Sequence, residues 1–383
     1  MSDFFDSRTG GPVAGPPVRL DGHADLPRGD RDAVSLDKLR AGGVNAIVQT
    51  LRADVHPASS HSNGLADLES GLEIVARLID GGGLTLARGP EELQAIVAND
   101  EVALVLQLQN AAPIRIVEDF IPWIDRGVSI VGLTFIGNNQ WAESSRPYPF
   151  ASRPTHLAGL SHQGHDAIRL FNESGVIVDV SQMSDQAILD ALDTSRAPLL
   201  ASHSGLRRQV AANRNLSDDF AKKIAEQGGL IQIVAFGMYL RDLDLDLLPS
   251  LADLWRENGL SVPADPTGFY SVDDPVTSNW DADHFYEFLH EFHVILNLDE
   301  PTATVIDLVD AIESAIDLVG VDAVGISSDF NHGGGVIGWM NASETGHVVA
   351  ELERRGHPQS AVNNLFGGNF LRLWNDVRGR TKS

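Results

Sequence analysis

Short apolar runs recur along the chain, each closed by a polar cluster and most followed by residues at helical spacing. The runs are residues 18–21, 44–51, 102–108, 129–135, 176–180, 198–201, 230–235 and 323–326. They are close to continuously apolar rather than alternating, the pattern of strands covered on both faces. Between them, Leu65, Leu68, Leu72, Val75 and Leu78 repeat at helical spacing and stop at Gly81-Gly82-Gly83. Shorter helices are predicted over 35–39, 90–98, 117–125, 161–173, 186–193, 218–227 and 308–318, with closing helices over 344–355 and 359–377. Ser184 and Ser217 stand where N-caps belong. Eight strands alternating with helices predict an α/β fold, a parallel (β/α)8 TIM barrel. Residues 1–17 read as a loose polar arm, 18–383 as one barrel domain, and about 237–303 as an irregular insertion at the barrel mouth, a lid or a subunit contact.

Polar residues collect where the runs end: His23 and Asp25, Gln109, Asn138 and Asn139, Gln182, His203 and Asp329. In a barrel these positions meet at the C-terminal mouth, where active sites sit. His23 and Asp25 stand two apart, so an extended strand aims both to one side. An imidazole and a carboxylate sharing a cavity make a half-site for a divalent metal such as zinc. Asp329, a carboxylate at the mouth, needs a cation or a donor. His203 suits a general base or a hydrogen bond to substrate. The other histidines carry less. His56 and His61 fall in a solvated loop, and His162 and His165 on a helix surface. His284, His290 and His293 lie on an exposed or packing helix of the insertion.

Charge removes several function classes. The 383 residues carry 28 basic and 53 acidic side chains, a net charge of −25, which repels nucleic acid and anionic membrane. There is no cysteine, hence no disulfide framework, thiolate metal site or cysteine nucleophile. The N-terminal residues lack a basic segment followed by an apolar one, and no apolar run reaches the length of a membrane span. A cytoplasmic protein is expected.

Five segments in order point further: Asp21-Gly22-His23-Ala24-Asp25-Leu26-Pro27, Ala201-Ser202-His203-Ser204, Arg214-Asn215-Leu216-Ser217-Asp218-Asp219, Ser328-Asp329-Phe330 and Gly367-Gly368-Asn369-Phe370-Leu371-Arg372. With them the chain resembles the membrane dipeptidase (renal dipeptidase) family, within the amidohydrolase-like barrels, from Asp21 to about Asp376. The resemblance implies a two-zinc hydrolase and a homodimer. His23, Asp25 and Asp329 match the ligands of one metal, His203 a ligand of the second, Arg214 a carboxylate-gripping arginine, and Asp329 also the proton shuttle. Three positions depart. The bridging glutamate falls on Gln109, a metal-binding histidine on Gln182, and a carbonyl-polarising histidine on Phe135. Asn331-His332 replaces a common Asp-Gly.

A neutral amide ligates zinc far more weakly than a carboxylate and cannot cancel charge between two cations. The expectation is therefore at most one tightly bound zinc, on His23, Asp25 and Asp329, with Gln109 as a weak ligand. The expected function is a metal-dependent hydrolase that cleaves an amide in a small carboxylate-bearing substrate. Asp329 and His203 would be catalytic, and Arg214, Gln182, Phe135 and Asn139 would line the substrate pocket. One alternative is a lyase, dehydratase or isomerase using His203 and Asp329 as acid and base. Another is a non-catalytic binding protein.

Overall fold

The computed structural model describes residues 15–27, 32–53, 61–145, 159–242, 245–262, 280–296 and 303–382. Its strands are β1 (Leu20–Asp25), β2 (Ala46–Arg52), β3 (Leu84–Leu86), β4 (Val102–Gln109), β5 (Val128–Gly132), β6 (Ile177–Asp179), β7 (Leu200–Ser204), β8 (Leu230–Val234) and β9 (Val324–Ser327). Eight of them pair in the order β1-β2-β4-β5-β6-β7-β8-β9, every pair parallel. The ring closes just beyond β9, where Asp25 N donates to Phe330 O and Asp329 N donates to His23 O, both at 2.9 Å. This is the expected (β/α)8 barrel, and its closing seam is made by the same residues that form the site.

Alternation along the strands builds the interior in layers. At the bottom, Leu20, Ala46, Val48, Ala103, Val105, Ile130, Ile177, Leu200 and Leu230 form an apolar floor with Phe370, Leu373, Trp374 and Val377 of the C-terminal helix Asn369–Gly379. Two residues further along the same strands the interior turns polar, with Gln107, Asp179, Ser202 and Gln232, all buried. One more step reaches the mouth. The opposite faces of the strands pack under the helices in a second, larger apolar core.

The capping serines act as read. Ser184 accepts from Ala187 N and Ser217 from Phe220 N. Several sequence expectations need correction. β1 runs on through His23 and Asp25, and β7 runs through His203, so these residues lie on strands rather than after them. β3 is too short for a periodicity to register. His61 opens the helix His61–Asp80 instead of lying in a loop, and His56 lies outside the described residues. The closing helix over 359–377 is broken by a π turn at Asn364–Gly368. There, a Cβ on Gly367 would stand 2.3 Å from Val18 O, so only glycine lets the chain pass the start of β1.

Among its described residues, the segment after β8 is helical rather than irregular. It carries the helices Leu248–Glu257 and Ala282–Ile295, which share a core of Leu251, Leu254, Trp255, Phe288 and Phe292 with Phe236 and Tyr239. His284 is used there, with its Nε2 2.8 Å from Asn258 Oδ1 and its ring stacked on Trp280, while His290 is exposed.

Candidate active site

Two irregularities of register set the site. β1 slips against β2 between Asp21 and Ala24, and β7 slips against β8 between Ala201 and Ser204. Bulges re-aim side chains, and these two flank His23 and His203. The two imidazoles consequently stack, with centroids 3.8 Å apart and planes 12° apart.

The polar layer below fixes both rings. Asp179 accepts from the backbone N–H groups of Ser181 and Ser202 (both 3.0 Å), from Ser181 Oγ (2.7 Å), Ser202 Oγ (2.6 Å) and Gln107 Nε2 (2.7 Å). The Ser202 proton is thus committed to Asp179, and Ser202 Oγ, 2.7 Å from His203 Nδ1, accepts from it. His203 Nε2 then carries a lone pair. That lone pair accepts from two amides, Gln109 Nε2 at 3.2 Å and Gln182 Nε2 at 3.1 Å. Gln107, having donated to Asp179, accepts through Oε1 from His23 Nδ1 at 2.9 Å. His23 Nε2 therefore points its own lone pair at the mouth, 3.6 Å from Asp329 Oδ1.

Asp329 sits in a tight turn with φ +57, followed by Asn331 with φ +64. Asn331 ties this turn to the first strand by donating from Nδ2 to Asp25 O at 3.0 Å. Burial alone would push the Asp329 carboxyl up. The neighbouring His332, with His23 and Arg214 nearby, outweighs it and holds the carboxyl below its ordinary range. His332 Nδ1 lies 3.7 Å from Asp329 Oδ1 and 4.0 Å from Asp25 Oδ2. Asp25 Oδ2 also pairs with Arg52 Nη1 at 2.6 Å.

Arg214 is buried above β7. It donates from Nη2 to His203 O at 2.6 Å and from Nη1 to Ser204 Oγ at 3.1 Å, and it lies over the Tyr239 ring. Phe135 is buried with Arg52 over its face and His332 beside it. Asn139 stands apart from the expected pocket. Its Nδ2 donates to Leu133 O at 2.7 Å and its Oδ1 accepts from Trp141 N at 2.9 Å, so its amide shapes its own loop.

Residues 14–383 match the sequence model of the membrane dipeptidase family, peptidase family M19. This chain belongs to the membrane dipeptidase family. The dipeptidase tcpJ of Claviceps purpurea is 25% identical to it over 373 residues, 94% of this chain and 71% of that protein. The crystal structure of the probable dipeptidase PvdM from Pseudomonas aeruginosa matches it with a TM-score of 0.88 at 34% identity, covering 95% of this chain and 96% of that one. A metallopeptidase of Rhodobacter sphaeroides, liganded with a phosphinate mimic of L-Ala-D-Ala, shares the fold at 15% identity (TM-score 0.68; 94% and 100% covered). The family is one of metal-dependent hydrolases, and this member is an enzyme of that class.

In this member of the membrane dipeptidase family the mouth gathers several buried donor atoms. His23 Nε2, Asp25 Oδ1, Asp329 Oδ1, Gln109 Oε1 and Gln182 Oε1 are all buried with no hydrogen-bond partner. Unpaired buried acceptors are costly. An imidazole nitrogen, two carboxylate oxygens and two amide oxygens are donors that suit a divalent cation. The His203 lone pair, in contrast, is taken up by two amide N–H groups. The cage is also open: among the described residues no three His, Cys, Asp or Glu side chains close on one point.

Several contributors were not read from the sequence. Arg52 had a signal, since in Ala46-Ile47-Val48-Gln49-Thr50-Leu51-Arg52 every second residue from Ala46 faces inward and brings Arg52 to the mouth. Gln107 and Asp179 lie one step below mouth positions and were hidden inside apolar runs, while Ser202 was quoted only as the neighbour of His203. His332 registered only as a departure from the family pattern.

Proposed function

We propose that this member of the membrane dipeptidase family hydrolyses an amide-type bond in a small carboxylate-bearing substrate, with one divalent cation, zinc, held by His23, Asp25 and Asp329 and weakly by Gln109. The observation that carries this reading is the group of buried acceptor atoms without hydrogen-bond partners, His23 Nε2, Asp25 Oδ1 and Asp329 Oδ1 among them, beside buried Arg214. A divalent cation bound there supplies polarisation of the scissile carbonyl and of an attacking water.

The chain's own groups do the rest. Arg214 grips the substrate carboxylate, its guanidinium held by His203 O and Ser204 Oγ. Asp329, kept ionised by its cationic neighbours, takes the proton of the attacking water as the new C–O bond forms. It then passes that proton to the leaving nitrogen as the C–N bond breaks. His203 is a positioning residue, because its lone pair is engaged by Gln109 and Gln182. That engagement also disfavours an acid–base pair of His203 with Asp329.

The test is zinc content and turnover together. Dialysed protein should hold close to one zinc per chain, lost in His23→Ala. It should cleave members of a panel of N-acyl amino acids, lactams and dipeptides, and Asp329→Asn should abolish cleavage. Two tightly held zincs, or no cleavage of any carboxylate-bearing amide, would overturn the proposal.

A further inference from the structure

Arg52 ends β2 inside the mouth, its side chain 7% exposed. Its Nη1 lies 2.6 Å from Asp25 Oδ2, and its guanidinium carbon lies 5.2 Å from the centre of the Phe135 ring. Phe135 is itself buried, so the guanidinium rests on a fixed aromatic platform. Asp25 thereby has one oxygen on an internal cation, while the other, Oδ1, has no hydrogen-bond partner.

From this geometry we infer that Arg52 is a resident cation that competes with the divalent metal for Asp25 and so sets the metal affinity of the site. The inference deepens the reading above and rests on its donor set. Two cations sharing one carboxylate repel across a few ångströms, and burial strengthens that repulsion because little water screens it. A carboxylate paired with a guanidinium is also a weaker electron donor than a free one. The open cage follows: Asp25 is drawn toward Arg52, and closing it on a metal means loosening that pair. Charge counting agrees. Asp25 and Asp329 carry two negative charges, and Arg52 balances that of Asp25 while Arg214 and His332 act on Asp329.

The experiment is zinc titration against a chromophoric chelator, using the metal-free full-length chain. Arg52→Met should bind one zinc at least tenfold more tightly than the wild type. Arg52→Lys, which keeps the charge, should stay within about threefold of it. Adding His23→Ala to Arg52→Met should abolish the gain, which locates it at this site. Zinc should also raise the melting temperature of Arg52→Met more than that of the wild type. If Arg52→Met fails to fold without metal, Arg52→Gln, which keeps a donor for Asp25 without the charge, carries the same comparison.

Equal or weaker zinc binding in the charge-removing variants overturns the inference, and when the wild type still holds one zinc the hydrolase reading stands. A wild type that takes up no zinc beside an Arg52→Met that does would support Arg52 as competitor and overturn the metal-dependent reading. Zinc uptake by neither chain overturns both.

Discussion

The rings of His23 and His203 lie face to face, 3.8 Å between centroids, yet their lone pairs have different fates. His23 Nε2 is left without a partner at the mouth, whereas His203 Nε2 accepts from Gln109 and Gln182. The difference begins one layer down. Asp179 orients Gln107 and Ser202, and these two direct the protons on the two imidazoles. One imidazole keeps a nitrogen without a hydrogen-bond partner and the other is capped by amides.

This relationship predicts how the second metal position could be restored. Gln109→Glu with Gln182→His replaces two neutral donors by a carboxylate and an imidazole and frees the His203 lone pair. Zinc content should rise from one to two equivalents per chain, measured by elemental analysis after dialysis. An unchanged content would mean that the amides are not what excludes the second ion.

Arg214 should govern affinity for the carboxylate end of the substrate. Arg214→Lys keeps the charge but loses the planar fork, and should raise KM by roughly 10–100-fold with a smaller change in kcat, the cost of one charge-assisted contact. Substrates whose carboxylate is amidated should lose the difference between the two enzymes. A KM that is the same for wild type and variant would sink the assignment.

Asp21 carries the opposite pH signature from Asp329. Burial pushes the Asp21 carboxyl up to about 6, against the hydrogen bonds it accepts from Ser328 N at 3.0 Å and Ser328 Oγ at 2.6 Å. A raised acid favours the folded state when protonated. Its contribution is complete below the unfolded value near 4 and is lost as pH rises through about 6, a cost of about 3 kcal/mol above that range. The lowered Asp329 stabilises above its ordinary range and loses that contribution as pH falls. In metal-free protein, urea unfolding of Asp21→Asn compared with wild type should show a gap that shifts in favour of the variant between pH 4 and pH 7. A gap constant with pH would refute the burial argument.

Gly334 supports the turn that presents Asp329. A Cβ there would lie 2.2 Å from Ser328 O and 2.5 Å from Asp329 O, both backbone atoms that cannot swing aside. Gly334→Ala should cost about 2–4 kcal/mol in chemical denaturation, in the range of overpacking and backbone strain, and zinc affinity should fall with it. A variant of wild-type stability that binds zinc normally would show that the turn tolerates the change.

The sequence by itself determined the barrel, because eight apolar runs separated by helical spacing leave few other ways to bury both faces of each strand. It also marked His23, Asp25, Gln109, Gln182, His203, Arg214 and Asp329, since polar residues closing apolar runs are conspicuous. Only the tertiary structure decided which contacts each of them makes. Arg52 and Asp25 lie on neighbouring strands, and the charge of one is cancelled by the other only when β1 and β2 pair. Asn139 looked the same as Gln109 in the sequence, yet its amide turns back on its own loop. The proton on His203 is set by Ser202 and Asp179, residues whose roles depend on which strand neighbours which. Local pattern records burial and direction, whereas charge balance and tautomer are properties of contacts between distant segments, and these exist only once the ring has closed.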